Sequence, residues 1–366
     1  NYDTNLNLDL EITQKLDFVT PGLSVAVKGA YDNKFTLNKV RTGGAIESQT
    51  VYYKSYFDTN GSMAQTDPDY DKTYIYVPNG SDTPLNYSES SGRGQNWYLE
   101  GRVNYDRTFG DHRVSGLFLY NQSRNYYPDS YTYIPRSYVG LVGRATYAYR
   151  SKYLLDVNVG YNGSENFIAG HRFGFFPSIA GAWVVSSEPF WEKLRSKVNL
   201  LKFRVSYGLS GNDYLADSSN NIVRFPYLTT VNMNKGLYVW FSPNFIKQTG
   251  HEIMTVGNPS ATWEESTKLN VGLELGLFNA LTLNVDVYKE DRTGIFMQRR
   301  SLPSTMGLSG VTPYGNLGEV ENRGVDVSLE YNKAFNKDLL ISVRGTFTYA
   351  HNEVRARDEA KYLPNA

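Results

Sequence analysis

Residues 97–106 read Trp-Tyr-Leu-Glu-Gly-Arg-Val-Asn-Tyr-Asp, and the alternation of apolar and polar side chains in this stretch decides the fold. Trp97, Leu99, Val103 and Tyr105 share one parity, and charged or amide side chains fill most of the positions between them. Successive side chains of a strand point to opposite faces, so the pattern predicts a strand with one apolar and one polar face. A length of about ten residues exceeds that of an ordinary soluble strand and suits a strand that crosses a membrane.

The same alternation recurs along the whole chain, for example in 201–209 and 269–275. It predicts an all-β protein with an antiparallel sheet of about twelve strands. The predicted strands lie near 3–13, 22–34, 95–108, 112–124, 137–150, 152–164, 173–186, 199–211, 265–277, 281–293, 318–332 and 338–351.

The connections between these strands alternate between short and long. Short turns are predicted near residues 110, 151, 279 and 336, whereas 35–94 and 212–264 form the two longest connections. Short turns at one rim and long loops at the other are typical of a transmembrane β-barrel. We therefore expect residues 1–366 to be part of one such barrel domain, with 35–94 and 212–264 as long extracellular loops.

Composition restricts the function classes. Lys+Arg and Asp+Glu are equal at 37 each, and no basic cluster is interleaved with aromatic residues, so nucleic acid is not an expected partner. The chain has no cysteine, which excludes disulfides and thiolate chemistry within it. Its 30 tyrosines suit the aromatic belts of a membrane barrel, but they also suit a soluble, secreted β-rich carbohydrate-binding or scaffold protein.

Signals for catalysis are poor. His251-Glu252 begins like the helix motif of zinc proteases, but Thr255 stands where the second histidine is needed. The chain has no complete nucleophile-elbow or phosphate-loop motif. We therefore predict that it is not an enzyme and that no organic cofactor is bound.

One acidic run could hold a cation. Asp67, Asp69 and Asp71 place carboxylates at alternating positions, which makes them weak candidates for a calcium site. The run lacks the glycine and glutamate that an EF-hand requires, and a solvated acidic turn is the simpler interpretation.

Aromatic residues in the loops are the better candidates for contact with a cargo or with a protein that covers the mouth of the barrel. Exposed Tyr and Trp beside polar groups suit both sugars and peptides, although the same residues could be belt residues or loop-packing anchors. These candidates are Tyr126, Tyr127, Tyr131, Tyr238 and Trp240.

For two other groups of residues we predict a structural role. Four arginines on the polar face are expected to pair with neighbouring carboxylates or with a plug more often than to bind cargo: Arg102, Arg144, Arg204 and Arg344. Three tryptophans are expected to be membrane-interface or strand-end anchors: Trp97, Trp183 and Trp263.

Four motifs in order resemble one family. They are FPSIAGAW at 176–183, FRVSYGLSGN at 203–212, WEES at 263–266 and GEVENRGVDV at 318–327. Together they resemble the barrel of the SusC/RagA-like TonB-dependent transporters, most firmly over residues 150–335.

The resemblance implies a 22-stranded barrel in the bacterial outer membrane, of which this chain would be an internal piece without the plug, the TonB box or the first and last strands. It implies import of an oligosaccharide or oligopeptide together with a SusD-like surface lipoprotein that acts as a lid, and with TonB through an N-terminal region. The expected surroundings are outer-membrane lipid. A passive porin or adhesin barrel remains the alternative within the same fold.

Overall fold

The computed structural model describes residues 2–42, 50–54, 74–78, 86–126, 134–217, 222–239, 246–306, 311 and 313–359. Among these residues, no helix combines the length and the apolar character that a membrane-spanning helix needs. The helical segments in the described part are three short 3₁₀ helices: Val185–Ser187, Pro189–Leu194 and Ser304–Met306.

The main feature is an antiparallel sheet of 12 strands, which confirms the predicted fold class and the predicted strands. In hydrogen-bonding order, the strands are β1 (Tyr2–Lys15), β2 (Leu23–Thr42), β5 (Asn86–Phe109), β6 (His112–Tyr126), β7 (Arg136–Tyr149), β8 (Tyr153–Ser164), β9 (Phe173–Val184), β10 (Val198–Asn212), β13 (Glu264–Leu277), β14 (Leu281–Gln298), β15 (Tyr314–Ala334) and β16 (Leu340–Ala356).

The remaining strands form two hairpins inside the long connections. β3 (Thr50–Lys54) pairs with β4 (Tyr74–Pro78), and β11 (Thr230–Val239) pairs with β12 (Ile246–Thr255). Tyrosine and β-branched residues in these segments favour strands. β2 and β5 also continue into the range predicted as the connection 35–94.

The chain divides into two compact units. The smaller contains Asn1–Leu8, Tyr31–Asn96 and Tyr126–Pro135, and it includes the β3–β4 hairpin. The larger contains Asp9–Ala30, Trp97–Asn125 and Arg136–Ala366, and it holds all of the sheet from β7 to β16.

Short turns join the strands at one end of the larger unit. Arg150 and Ser151 have φ values of 50° and 56°, and Phe278 and Asn279 have φ values of 55° and 51°. Two consecutive residues with positive φ form the turn whose twist matches that of an antiparallel hairpin. We call this the short-turn end, and the opposite one the long-loop end.

The register puts polar and apolar residues on separate faces. Arg204 lies opposite Ala182 and Gly272, whereas Val205 lies opposite Gly181 and Val271. We call the face that carries Arg204 the polar face and the face that carries Val205 the apolar face. The apolar face leaves large side chains uncovered, and 49% of Val205 is exposed. A sheet that exposes this face needs an apolar environment around it.

Candidate functional site

A cavity lies on the polar face of the larger unit. Its volume is about 820 Å³, and residues of β5 to β10 and β13 line it. The lining alternates charged groups such as Arg144 and Asp156 with small residues such as Ala180 and Gly181. Because small side chains leave room between the charged ones, the wall is both polar and open.

The basic groups that line the cavity are paired with carboxylates on the same or neighbouring strands. Arg113 Nη2 lies 2.8 Å from Asp106 Oδ2, and Lys202 Nζ lies 3.1 Å from Glu274 Oε1. Arg144 Nε donates to Asp156 Oδ2 at 3.1 Å. These bonds fix the long side chains, so the cavity wall presents hydrogen-bonding groups without a strong field of one sign.

One glycine allows an ion pair to span two strands. Arg204 on β10 extends over Gly272 on β13, and its Nη2 donates to Asp286 Oδ2 on β14 at 2.6 Å. A Cβ atom at Gly272 would lie 2.5 Å from Arg204 Nε. Glycine at this position is therefore required for the crossing.

A second feature is an apolar cluster at the long-loop end, which we call the loop base. Trp263, immediately before β13, packs with its ring centroid 5.5 Å from Phe167 and 5.3 Å from Phe176. The cluster is closed to solvent, with exposures of 5% for Trp263 and 0% for Phe167. Its members are Phe167, Phe176, Leu215, Ala261, Trp263 and Phe296.

Polar contacts surround the loop base and join the connections to the strands. Glu165 Oε2 accepts from the backbone N–H of Ser137 at 2.8 Å, and its Oε1 accepts from Arg224 Nη2 at 2.9 Å. Asp213 Oδ2 accepts from Ser164 Oγ at 2.7 Å. These contacts tie the described parts of the connections after β8 and β10 to the neighbouring strands.

Similar contacts involve the WEES motif and the residues that precede GEVENRGVDV. In WEES, Glu264 accepts from Asn212 Nδ2 at 2.9 Å and from the Phe296 N–H at 2.9 Å, and so ties together β10, β13 and β14. In the residues just before GEVENRGVDV, Asn316 Nδ2 donates to Thr262 O at 2.9 Å and to Gly294 O at 2.7 Å. WEES and the residues just before GEVENRGVDV therefore tie together the strands and connections around the loop base.

A smaller polar cluster fixes the short-turn end. Glu188 accepts from Lys152 Nζ at 3.0 Å and from Trp183 Nε1 at 3.2 Å. The hydrogen bond from Lys152 is the main reason why the pKa of the Glu188 carboxyl lies below its ordinary value. The Trp183 ring in turn stacks on Tyr153 with centroids 6.5 Å apart.

Most of the predicted contact residues lie outside the described residues. This holds for Tyr127, Tyr131, Trp240 and the acidic run Asp67, Asp69 and Asp71. Tyr126 ends β6 and is half-buried, and Tyr238 lies in β11 opposite Lys247. The cargo and calcium assignments of all these residues stay predictions. Among the described residues, no group of three or more potential metal-binding side chains comes together.

The predicted arginine pairs are largely present. Arg102, Arg144 and Arg204 each contact a carboxylate, and Arg344 lies opposite Glu330 in the register. Trp97 and Trp183 are exposed, as expected for anchors at the membrane interface. Trp263 is at a strand end but buried, so the membrane-interface alternative is wrong for it: its neighbours come from connections that are distant in sequence.

Sequence reasoning missed Glu165, Arg224, Asp213 and Phe167 as parts of the loop base. The family motifs that contain Phe176 and Trp263 were the only features of the sequence that pointed to this region.

Comparison with known proteins gives a consistent picture. The family model "TonB dependent receptor-like, beta-barrel" matches residues 1–366. TonB-dependent receptor P3 of Formosa agariphila is 30% identical over 296 residues, which cover 78% of this chain and 27% of that protein. TonB-dependent receptor SusC of Bacteroides thetaiotaomicron is 25% identical over 218 residues, which cover 59% of this chain and 20% of that protein.

Solved structures show the same fold. The RagAB peptide transporter superposes with a TM-score of 0.70 at 19% identity, over 99% of this chain and 38% of that chain. The outer membrane transporter YddB of Escherichia coli superposes with a TM-score of 0.54 at 12% identity, over 96% of this chain and 42% of that chain. This chain therefore spans about a quarter of the curated relatives and about two fifths of these solved chains.

Proposed function

Because this chain belongs to the TonB-dependent receptor-like β-barrel family and forms strands of an outer-membrane barrel wall, we propose that it serves in TonB-dependent import across the bacterial outer membrane. The proposed cargo is an oligosaccharide or an oligopeptide. A SusD-like surface lipoprotein would cover the mouth, and TonB would act through a region outside this chain.

The polar cavity is the observation that carries this proposal. Its paired charges favour a cargo that forms many hydrogen bonds and has little net charge, which describes both glycan hydroxyls and peptide amides. RagAB, a similar fold, is a peptide transporter, which supports a peptide as one of the two cargo classes. The proposed role is binding and passage, with no bond chemistry in this chain.

The loop base would hold the loops that contact the cargo and the lid. Contacts through Trp263 and Glu165 hold the connections that follow β8 and β10, so these loops can meet cargo and lid in a fixed arrangement. Tyr126, Tyr127, Tyr131, Tyr238 and Trp240 remain the proposed contact residues. A fixed arrangement reduces the entropy lost on binding.

Uptake by cells tests the proposal. The full-length transporter and its neighbouring lid protein are expressed together, and depletion of glycan and peptide panels from the medium is measured with and without functional TonB. We expect depletion of one cargo class only when TonB is functional. Uptake that continues without TonB would instead establish a passive porin, and recovery of the full-length protein in the soluble fraction without detergent would establish the soluble alternative.

A further inference from the structure

Three basic residues form a row on the apolar-face side of the last three strands. Lys289 on β14 lies opposite Arg323 on β15, and Arg323 lies opposite His351 on β16. We call these three the basic row. Two residues closer to the short-turn end, the same face carries Val287, Val325 and Tyr349 in register. The face thus changes from apolar to basic within a single step along each strand.

The height of the basic row matches the upper boundary of a membrane. From Leu281, where β14 begins, to Lys289 the strand rises about 27 Å along its axis, and from Ala334 back to Arg323 about 37 Å, at roughly 3.4 Å per residue. With a strand tilt of about 40°, these lengths give heights of roughly 20–29 Å, close to the apolar belt of about 25 Å in outer-membrane barrels.

Other strands end differently on the same face. At the long-loop ends of β8 and β9, Tyr161 stacks on Phe173 with ring centroids 5.0 Å apart, and β10 carries Tyr207. Aromatic side chains at this level are the usual interface residues of a membrane barrel. On β14–β16 the basic row takes the place of these aromatic rings. The outer surface of these three strands therefore contacts a different chemical environment at the membrane interface.

Charges on β14–β16 are arranged in layers. The next outward position toward the long loops is acidic on all three strands, with Asp291, Glu321 and Glu353 in register. Glu321 is only 7% exposed, and its Oε2 lies 3.2 Å from Lys289 Nζ and 2.9 Å from Arg355 Nη2. The acidic layer thus holds basic side chains in place on the water side.

Arg323 is the member of the basic row that keeps its donors available, whereas Lys289 Nζ is also held by Asp291 Oδ2 at 3.0 Å. The nearest carboxylate contact of Arg323 among the described residues is a 4.0 Å approach to Glu321, and 59% of the Arg323 side chain is exposed. Arginine donors in a planar fork match the oxygens of a phosphate group. The layering means that a group at the membrane surface meets the basic residues before it meets the acidic ones.

We propose that the basic row binds the phosphate-bearing headgroup of an outer-leaflet lipid. The proposal rests on the position of the barrel in the outer membrane and is independent of the cargo. The bound lipid would seat β14–β16 at a fixed depth, because its acyl chains would cover Val287 and Val325 while its phosphate contacts Lys289 and Arg323.

Lipid retention by the purified full-length transporter tests this proposal. The Lys289→Gln/Arg323→Gln variant is compared with the parent and with a Lys333→Gln/Lys337→Gln control, which removes the same charge at the short-turn end. Each protein, shown to be folded by its heat-modifiable electrophoretic mobility, is mixed with lipid A that carries or lacks phosphate. Bound lipid is counted by native mass spectrometry, with inorganic phosphate as a competitor in a separate arm.

We expect the parent and control to retain phosphorylated lipid A, and the Lys289→Gln/Arg323→Gln variant to retain about tenfold less, because charge-assisted hydrogen bonds to the phosphate are lost. Dephosphorylated lipid A should bind all three proteins equally weakly. The proposal is overturned if the variant retains as much phosphorylated lipid as the control, if phosphate on the lipid makes no difference, or if inorganic phosphate at an equal concentration displaces the lipid. None of these results depends on cargo uptake.

Discussion

At the scale of single residues, the two faces of each strand differ in the polarity of their side chains. Val205 exposes half of its surface on the apolar face, whereas its neighbour Ser206 lies on the polar face, opposite Ala180 and Asn270. One position along the chain thus separates a residue of the apolar face from a residue of the polar face.

A charge on the lipid-facing side should destabilise the barrel. Val205→Arg is expected to lower the free energy of unfolding by about 2–4 kcal/mol, because an arginine near mid-membrane must be desolvated. The measurement is urea-induced unfolding of the full-length protein in lipid vesicles. Ser206→Arg is the matched control and should change stability by less than about 1 kcal/mol, since its side chain enters a polar cavity. Equal effects of the two changes would contradict the face assignment.

Gly211 illustrates a position where no side chain fits. A Cβ atom there would lie 2.0 Å from Phe176 Cζ, and a Cβ atom at Gly174 would lie 2.3 Å from the same atom. Trp263 blocks the Phe176 ring from a further side. The ring therefore has no space into which it could move.

Gly211→Ala is expected to destabilise the protein by about 1–3 kcal/mol through overpacking. Gly101→Ala is the control, because no atom lies within 4 Å of the corresponding Cβ position. Thermal unfolding of both variants in detergent checks this prediction. A Gly211→Ala protein as stable as the control would show that Phe176 is free to reorient.

At the scale of elements, the two ends of the sheet are fixed by different means. The loop base at the long-loop end is apolar and joins connections that are far apart in sequence. The short-turn end is held by tight turns and by the contacts of Glu188 with Lys152 and Trp183. Each end can therefore be disturbed without the other.

Removal of Trp263 should loosen the connections at the long-loop end. Trp263→Ala is expected to cost about 3–5 kcal/mol, because a large buried side chain is lost from the loop base. Hydrogen exchange should become faster in 165–172 and 213–217. Trp183→Ala, at the opposite end, should leave exchange in these segments unchanged. Unchanged exchange in the Trp263→Ala protein would show that the loops are ordered by other contacts.

The Glu188 cluster should give a pH-dependent contribution to stability. The pKa of Glu188 is lowered in the folded state, chiefly by the hydrogen bond from Lys152, so its contribution is present above the ordinary pKa of glutamate. It is lost as the pH falls through the lowered value. We expect Glu188→Gln to be less stable than the parent at pH 7, with the difference smaller at pH 3, below the ordinary pKa of glutamate.

Thermal midpoints at the two pH values measure this effect. Glu192→Gln is the control, since Glu192 is an exposed glutamate on the adjacent 3₁₀ helix. A difference between Glu188→Gln and the parent that is as large at pH 3 as at pH 7 would mean that the effect of the substitution is not ionic.

At the scale of the whole molecule, the sequence is sufficient to predict the strands of the sheet, but it does not predict the side-chain contacts of the loop base. Alternation in stretches such as 97–106 and the sorted loop lengths predict the 12 strands, because each signal is local. Contacts of the loop base, such as Phe167 with Trp263, join residues from separate connections, and no local pattern reports them. β2 and β5 run further than predicted because their extensions are mostly polar and so resemble loops.

The central claim is that this chain forms a two-faced wall, with lipid on the apolar face and a polar conduit on the other. Quenching of a bimane fluorophore by lipids with brominated acyl chains tests it most directly. The fluorophore is attached to the full-length transporter through Val205→Cys or Ser206→Cys, and the protein is reconstituted in vesicles. We predict strong quenching at position 205 and little at position 206. Equal quenching at the two positions, or stronger quenching at 206, would contradict the claim.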